Sequence, residues 1–113
     1  MDSLEIALKI ARYASEKKAE NIIILDLRDI TVIADFFIIC SGSSNTQVQA
    51  ITDAILETLK KNDSIIPLRV EGKTYYRWVL LDYGSVVTHI FDNETRDYYN
   101  LEKLWIDAKR VTF

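Results

Sequence analysis

Apolar residues along this chain recur first at a spacing of three or four, then of two, and the switches between the two periods mark out its elements. Leu4, Ala7, Leu8, Ala11 and Ala14 fall at helical spacing. Asp2 followed by Glu5 makes a capping box, so a first helix is expected over about residues 3–18, with Lys17 and Lys18 at the negative end of its dipole. Two apolar runs follow, Ile22 to Leu27 and Phe36 to Cys40, joined by the polar and branched stretch Arg28 to Asp35. Both read as buried strands. Ser41-Gly42-Ser43-Ser44 breaks the second run. Ser44 and Gln47 then offer another capping box for a helix with Val48, Ile51, Ile55 and Leu59 on one face, ending near Asn62 or Asp63. Ile65 to Val70 reads as a short strand that Pro67, which has no N–H to donate, confines to an edge or a strand start. Glu71-Gly72-Lys73-Thr74 turns the chain.

Trp78 to Phe91, WVLLDYGSVVTHIF, carries the strongest pattern: two strand-like runs broken at Gly84-Ser85. A two-residue loop there pairs Tyr83 with Val86, Asp82 with Val87, Leu80 with His89 and Trp78 with Phe91. Alternation then places Trp78, Leu80, Asp82, Val87, His89 and Phe91 on one face and Val79, Leu81, Val86, Thr88 and Ile90 on the other. The second face is aliphatic and belongs to the core. The first mixes aromatic and charged residues and is assigned to a surface or a shallowly covered site. Beyond the hairpin, Asp92 or Asn93 caps a short helical turn, and Leu101, Leu104, Trp105 and Ala108 mark a final helical segment.

The order is helix, two strands, helix, three strands, helix. It predicts an α/β or α+β fold, a mixed sheet of about five strands flanked by helices, as one domain over residues 1–113. The composition supports this, since apolar residues make up 49% of the chain and need neither disulfide nor metal to close a core. With 14 basic against 17 acidic residues the net charge is −3, which repels polyanions and argues against naked nucleic acid as the primary partner. Cys40, the single cysteine, lies in an apolar run and reads as an inert buried hydrophobe in a reducing compartment. No secretory signal pattern and no membrane-spanning stretch is present, so a cytoplasmic protein without a membrane partner is expected.

Catalysis finds little support. A strand leading through Gly42-Ser43 into a helix N-terminus suits a phosphate, as in nucleotidyltransferases. Those enzymes also need two carboxylates alternating on a neighbouring strand to hold magnesium, and that pair is missing. His89 is the only histidine, and neither a nucleophile nor a second ligand is fixed near it. No enzyme, metal or cofactor is expected. Arg69, Lys73 and Arg77 form a small basic cluster diluted by Glu71. What remains is the aromatic face. Trp78 and Phe91 serve either as interface anchors or as core, Tyr83 is expected to be exposed at its turn, and of Tyr98 and Tyr99 one should pack while the other faces out.

The motifs IADFFIICSGSS, QVQAI, PLRVEG, WVLLDYGSVVTHIF and RDYYNLEKLW, in this order and spacing, resemble the ribosomal silencing factor RsfS (Iojap) family over nearly the whole chain. The resemblance implies a nucleotidyltransferase-like fold without catalytic acids. It further implies binding to the large ribosomal subunit through its fourteenth ribosomal protein, which obstructs joining of the small subunit and represses translation when nutrients are scarce. Carried over residue by residue, partner binding falls on Trp78, Asp82, Tyr83, His89 and Phe91 in the hairpin, with Tyr98 just beyond it, and Leu80 on the same hairpin face completes the candidate set. Asn45-Thr46-Gln47 stands where many members place Arg-His, so a contact by that basic side chain has no match here. Two other classes compete: a nucleotide-binding or nucleotidyl-transferring enzyme using Ser43, and a homodimerisation module that pairs aromatic faces.

Overall fold

The computed structural model describes residues 1–113. Its elements are α1 (Ser3–Glu16), β1 (Glu20–Asp26), β2 (Phe36–Gly42), α2 (Asn45–Asp63), β3 (Arg69–Glu71), β4 (Trp78–Asp82), β5 (Val86–Asp92), α3 (Asn93–Tyr99), the single turn α4 (Leu101–Leu104) and β6 (Lys109–Arg110). The strands form one mixed sheet in the order β3-β4-β5-β2-β1-β6. Only β2 and β5 run parallel, and they occupy its middle. Every residue of β2 is buried, as is all of β5 but Asp92, because helices cover one face and the C-terminal segment the other. That double cover is why FFIIC and VVTHIF read as continuous apolar runs.

Both helix starts follow their capping signals. The Glu5 amide donates to the Asp2 carboxylate at 2.9 Å, and the Gln47 amide donates to Ser44 Oγ at 3.1 Å. α1 stops earlier than expected, at Glu16. Lys17 is its cap and Lys18 takes a left-handed conformation at φ 61°, so neither lysine lies within the last helical turn. Small residues Ala7, Ala11 and Ala14 let α1 pack closely on Ile51, Ile55 and Leu59 of α2 over the sheet. Lys9 reaches Asp63 at 2.8 Å and ties the middle of α1 to the end of α2.

The hairpin has the expected register, with Trp78 opposite Phe91, Leu80 opposite His89 and Asp82 opposite Val87. Gly84 takes the left-handed first turn position at φ 86°, and the Tyr83 amide donates to the Val86 carbonyl at 2.9 Å. Val79, Leu81, Val86, Thr88 and Ile90 are fully buried toward α1 and α2. Two expectations need correction at the ends. The strand foreseen over Ile65 to Val70 is confined to Arg69–Glu71, since Pro67 and the turn before it hold the chain off the ladder. The final helix ends at Leu104 instead of reaching Ala108, and residues 109–110 add a sixth strand beside β1. Both edges are thus short, three residues and two, which limits pairing with other chains.

Gly72 holds the turn between β3 and β4 tight. Its φ is +93°, and a Cβ there would sit 2.0 Å from the Trp78 carbonyl oxygen. Gly72→Ala is therefore expected to lower stability by about 2 kcal/mol, measured by urea unfolding. A loss of a few tenths would mean that β3 shifts freely away from Trp78.

Candidate partner-binding surface

The mixed face of the hairpin belongs to a second, smaller core on the far side of the sheet. Leu25, Leu27, Ala34, Phe37, Ile39, Val87 and Phe91 form it, and Leu101, Trp105 and Ala108 cover it from the C-terminal segment. Phe91 is completely buried and His89 is 4% exposed, so neither presents a surface to a partner. Trp78, Leu80 and Asp82 are half-buried at the border of this core. Asp82 is engaged locally, since its Oδ1 accepts from the Gly84 amide at 2.8 Å and its Oδ2 lies 3.9 Å from Arg69. Arg69 is drawn to Asp82 and Glu71, which removes it from the basic cluster read in the sequence.

Tyr83 does not stand out from its turn. Strand alternation puts it on the same side as Val79 and Leu81, where it packs against the main core. Its hydroxyl is buried without a hydrogen-bond partner, and burial raises its pKa to about 12. Tyr98 and Tyr99 both face outward instead of dividing between core and surface, at 80% and 51% exposure.

These tyrosines extend Trp78 into a continuous aromatic ledge. Trp78 stacks on Phe91 at 5.0 Å between ring centres, Tyr99 tilts against Trp78 at 4.7 Å, and Tyr98 meets Tyr99 edge-on at 5.0 Å. Trp78 and the two tyrosines line an open cleft of about 630 Å³ together with Asn45, Arg77, Asp92, Glu94 and Thr95. Asp92 also caps α3, accepting from the Thr95 amide at 2.8 Å. The cleft therefore combines three aromatic rings with two carboxylates and one guanidinium. Protein interfaces in general draw on rigid rings for area and on a polar rim for orientation.

Below the ledge, His89 links to Trp78. The indole Nε1–H of Trp78 donates to His89 Nδ1 at 3.1 Å, and the imidazole is flanked by Phe37 and Phe91. Burial pushes the His89 pKa down to about 4. Arg96 was not foreseen as important. It is 8% exposed on α3 and donates to Ser41 Oγ at 2.8 Å, to Glu102 Oε1 at 3.3 Å and to the Glu20 carbonyl at 3.5 Å. It clamps the helix that carries both tyrosines to the end of the sheet.

The Gly-Ser turn before α2 is occupied internally. Gln47 Oε1 accepts from both the Ser43 amide at 2.6 Å and the Ser43 hydroxyl at 2.8 Å, and Gln47 Nε2 donates to the Lys18 carbonyl at 2.9 Å. Asn45 donates to the Tyr75 carbonyl at 2.8 Å. No three His, Cys, Asp or Glu side chains converge to hold a metal ion. Cys40 is fully buried, and burial lifts its thiol pKa to about 12, which leaves it unreactive.

The family described as ribosomal silencing factor during starvation, RsfS, matches residues 1–113. The chain belongs to the RsfS family. Ribosomal silencing factor RsfS of Halalkalibacterium halodurans is 44% identical over 98% of this chain and 94% of its own length, and that of Bacillus subtilis is 49% identical over 89% and 86%. A solved structure from Chromobacterium violaceum superposes with a TM-score of 0.89 at 32% identity, covering 100% of this chain and 92% of that one. The mixed α/β fold read from the sequence is thus the fold of these relatives. RsfS relatives are named as silencing factors, a regulatory family and not a catalytic one, and the protein is accordingly no enzyme. No helix is long and apolar enough to cross a membrane.

Proposed function

We propose that the chain, like the relatives named as ribosomal silencing factors, regulates translation in the cytoplasm by docking on the large ribosomal subunit through its fourteenth ribosomal protein and sterically blocking the small subunit. The observation that carries this reading is the aromatic ledge of Trp78, Tyr99 and Tyr98, exposed beside Glu94 and Asp97 on a molecule of net charge −3. Ribosomal proteins are basic, so acids around an aromatic centre complement one in charge as well as shape. A standard interface of roughly 800 Å² per partner would take about an eighth of the 6564 Å² surface. Occupying that area on the ribosomal face is sufficient, and no bond needs to be made or broken.

Co-sedimentation with purified large subunits tests the docking, and a subunit-joining assay tests the block. Tyr98→Ala is the cleanest variant, because the side chain is 80% exposed and its loss leaves the fold intact. Trp78→Ala is expected to weaken docking by on the order of 2 kcal/mol, about thirtyfold in Kd, with a smaller cost to the thermal transition because the ring stacks on the buried Phe91. Native affinity in both variants would refute the ledge as the docking surface. Tight docking without inhibition of joining would refute the steric block alone.

A further inference from the structure

The geometry points to His89 as a positioning residue: it sets the orientation in which Trp78 is presented to the partner, without touching the partner itself. This inference rests on the docking reading above. Trp78 lies half-buried at the border of the second core, where rotation about its side-chain bonds would turn either edge of the indole outward. The hydrogen bond at 3.1 Å to His89 Nδ1 selects one of those orientations. The acceptor is rigid, because the imidazole is 4% exposed and lies between Phe37, with ring centres 4.8 Å apart, and Phe91, at 6.2 Å. In the selected orientation the indole stacks on Phe91 below and meets Tyr99 beside it, so the ledge is assembled before any partner arrives.

The other imidazole nitrogen carries a polar cost that an apolar residue in its place would not. An indole N–H only donates, so Nδ1 accepts, and the proton of the neutral ring sits on Nε2. Nε2 is buried and has no hydrogen-bond partner. A leucine or phenylalanine would fill the same volume among Phe37, Val87 and Phe91 without burying an unsatisfied donor. A local polar cost of this kind, held against the apolar surroundings, is expected where a side chain serves a site. Its burial places His89 beneath the contact residues of the ledge and not among them.

Three variants separate orientation from packing. His89→Leu removes the acceptor, His89→Phe removes it while keeping a stacked ring should leucine loosen the core, and His89→Asn returns an acceptor near the position of Nδ1. The readouts are the Trp78 indole N–H resonance with its exchange against water, and co-sedimentation with purified large ribosomal subunits. In the leucine or phenylalanine variant the indole proton is expected to exchange about tenfold faster and docking to weaken about fivefold, with no fall in the thermal transition. His89→Asn is expected to bring both back to within about twofold of native. An indole resonance and an affinity unchanged in the apolar variants, while Trp78→Ala still loses docking, would overturn the positioning role alone. If Trp78→Ala and Tyr98→Ala also keep native affinity, the ledge itself falls as the docking surface.

Discussion

Arg96→Ala is expected to lower the stability of the protein by about 3 kcal/mol, because the substitution leaves the buried Ser41 hydroxyl and two part-buried acceptors, Glu102 and the Glu20 carbonyl, without their shared partner at once. Ser41 Oγ is completely buried on β2 and loses the donor it now has at 2.8 Å. Glu102, with its side chain 24% exposed, loses the guanidinium at 3.3 Å and keeps a poorly hydrated charge. The carbonyl of Glu20 loses a third, longer contact. A lysine does not substitute well, since one ammonium cannot reproduce the fork that serves a hydroxyl, a carboxylate and a carbonyl in different directions. The measurement is chemical denaturation at neutral pH, with the slope compared between variants to confirm that the unfolded state is unchanged. A loss below about 1 kcal/mol would place Arg96 with ordinary surface pairs and remove the clamp from the argument.

The same substitution links stability to docking. α3 is seven residues long, too short to be stable by itself, and it ends at Asn100 in a left-handed conformation with φ 46°. Its attachment to the sheet comes chiefly from the Arg96 clamp and from Tyr99 against Trp78. Loosening the clamp frees Tyr98 and Tyr99 together, so Arg96→Ala is expected to weaken docking as well, though the residue faces inward. Tyr98→Ala weakens docking without the loss of stability, and the contrast between the two separates a missing contact from a missing support.

How much of this was legible in the sequence differs by element. The hairpin was, because a Gly-Ser turn fixes register locally and a period of two then sorts every side chain. Tyr83 could have been placed by the same rule: it alternates with Val79 and Leu81, and its position at the turn does not take it off their face. The cover over the mixed face was not legible. Leu101, Leu104, Trp105 and Ala108 have helical spacing, yet the chain leaves the helix after Leu104 so that Trp105 and Ala108 reach the second core while Leu104 stays 71% exposed. Tertiary contact overrides local propensity there. Arg96, between Thr95 and Asp97 on a polar helix, reads as a solvated charge. Its burial depends on Ser41 and Glu20, residues 55 and 76 positions away, which no local pattern signals.

Acidification is expected to remove roughly 3 kcal/mol of stability between pH 6.5 and 4 through His89 alone. In the unfolded chain the imidazole titrates near its ordinary 6.5, whereas burial in the folded state lowers its pKa to about 4. Between those values the unfolded chain binds the extra proton, so stability must fall as pH falls. Above pH 6.5 the ring is neutral in both states and the contribution is flat; below about 4 both states are protonated and the loss has saturated. The Asp26 carboxyl, held below its ordinary 3.8 chiefly by a hydrogen bond from Arg28, also loses its contribution on acidification, but it does so beneath this window. Urea unfolding at pH 7 and pH 5 measures the slope, and His89→Leu, which cannot titrate, is expected to flatten it. A native protein equally stable at both values would mean that the buried imidazole relaxes to water before it charges. Protonation also converts Nδ1 from acceptor to donor, so the bond to the Trp78 indole is lost in the same step that costs the fold its stability.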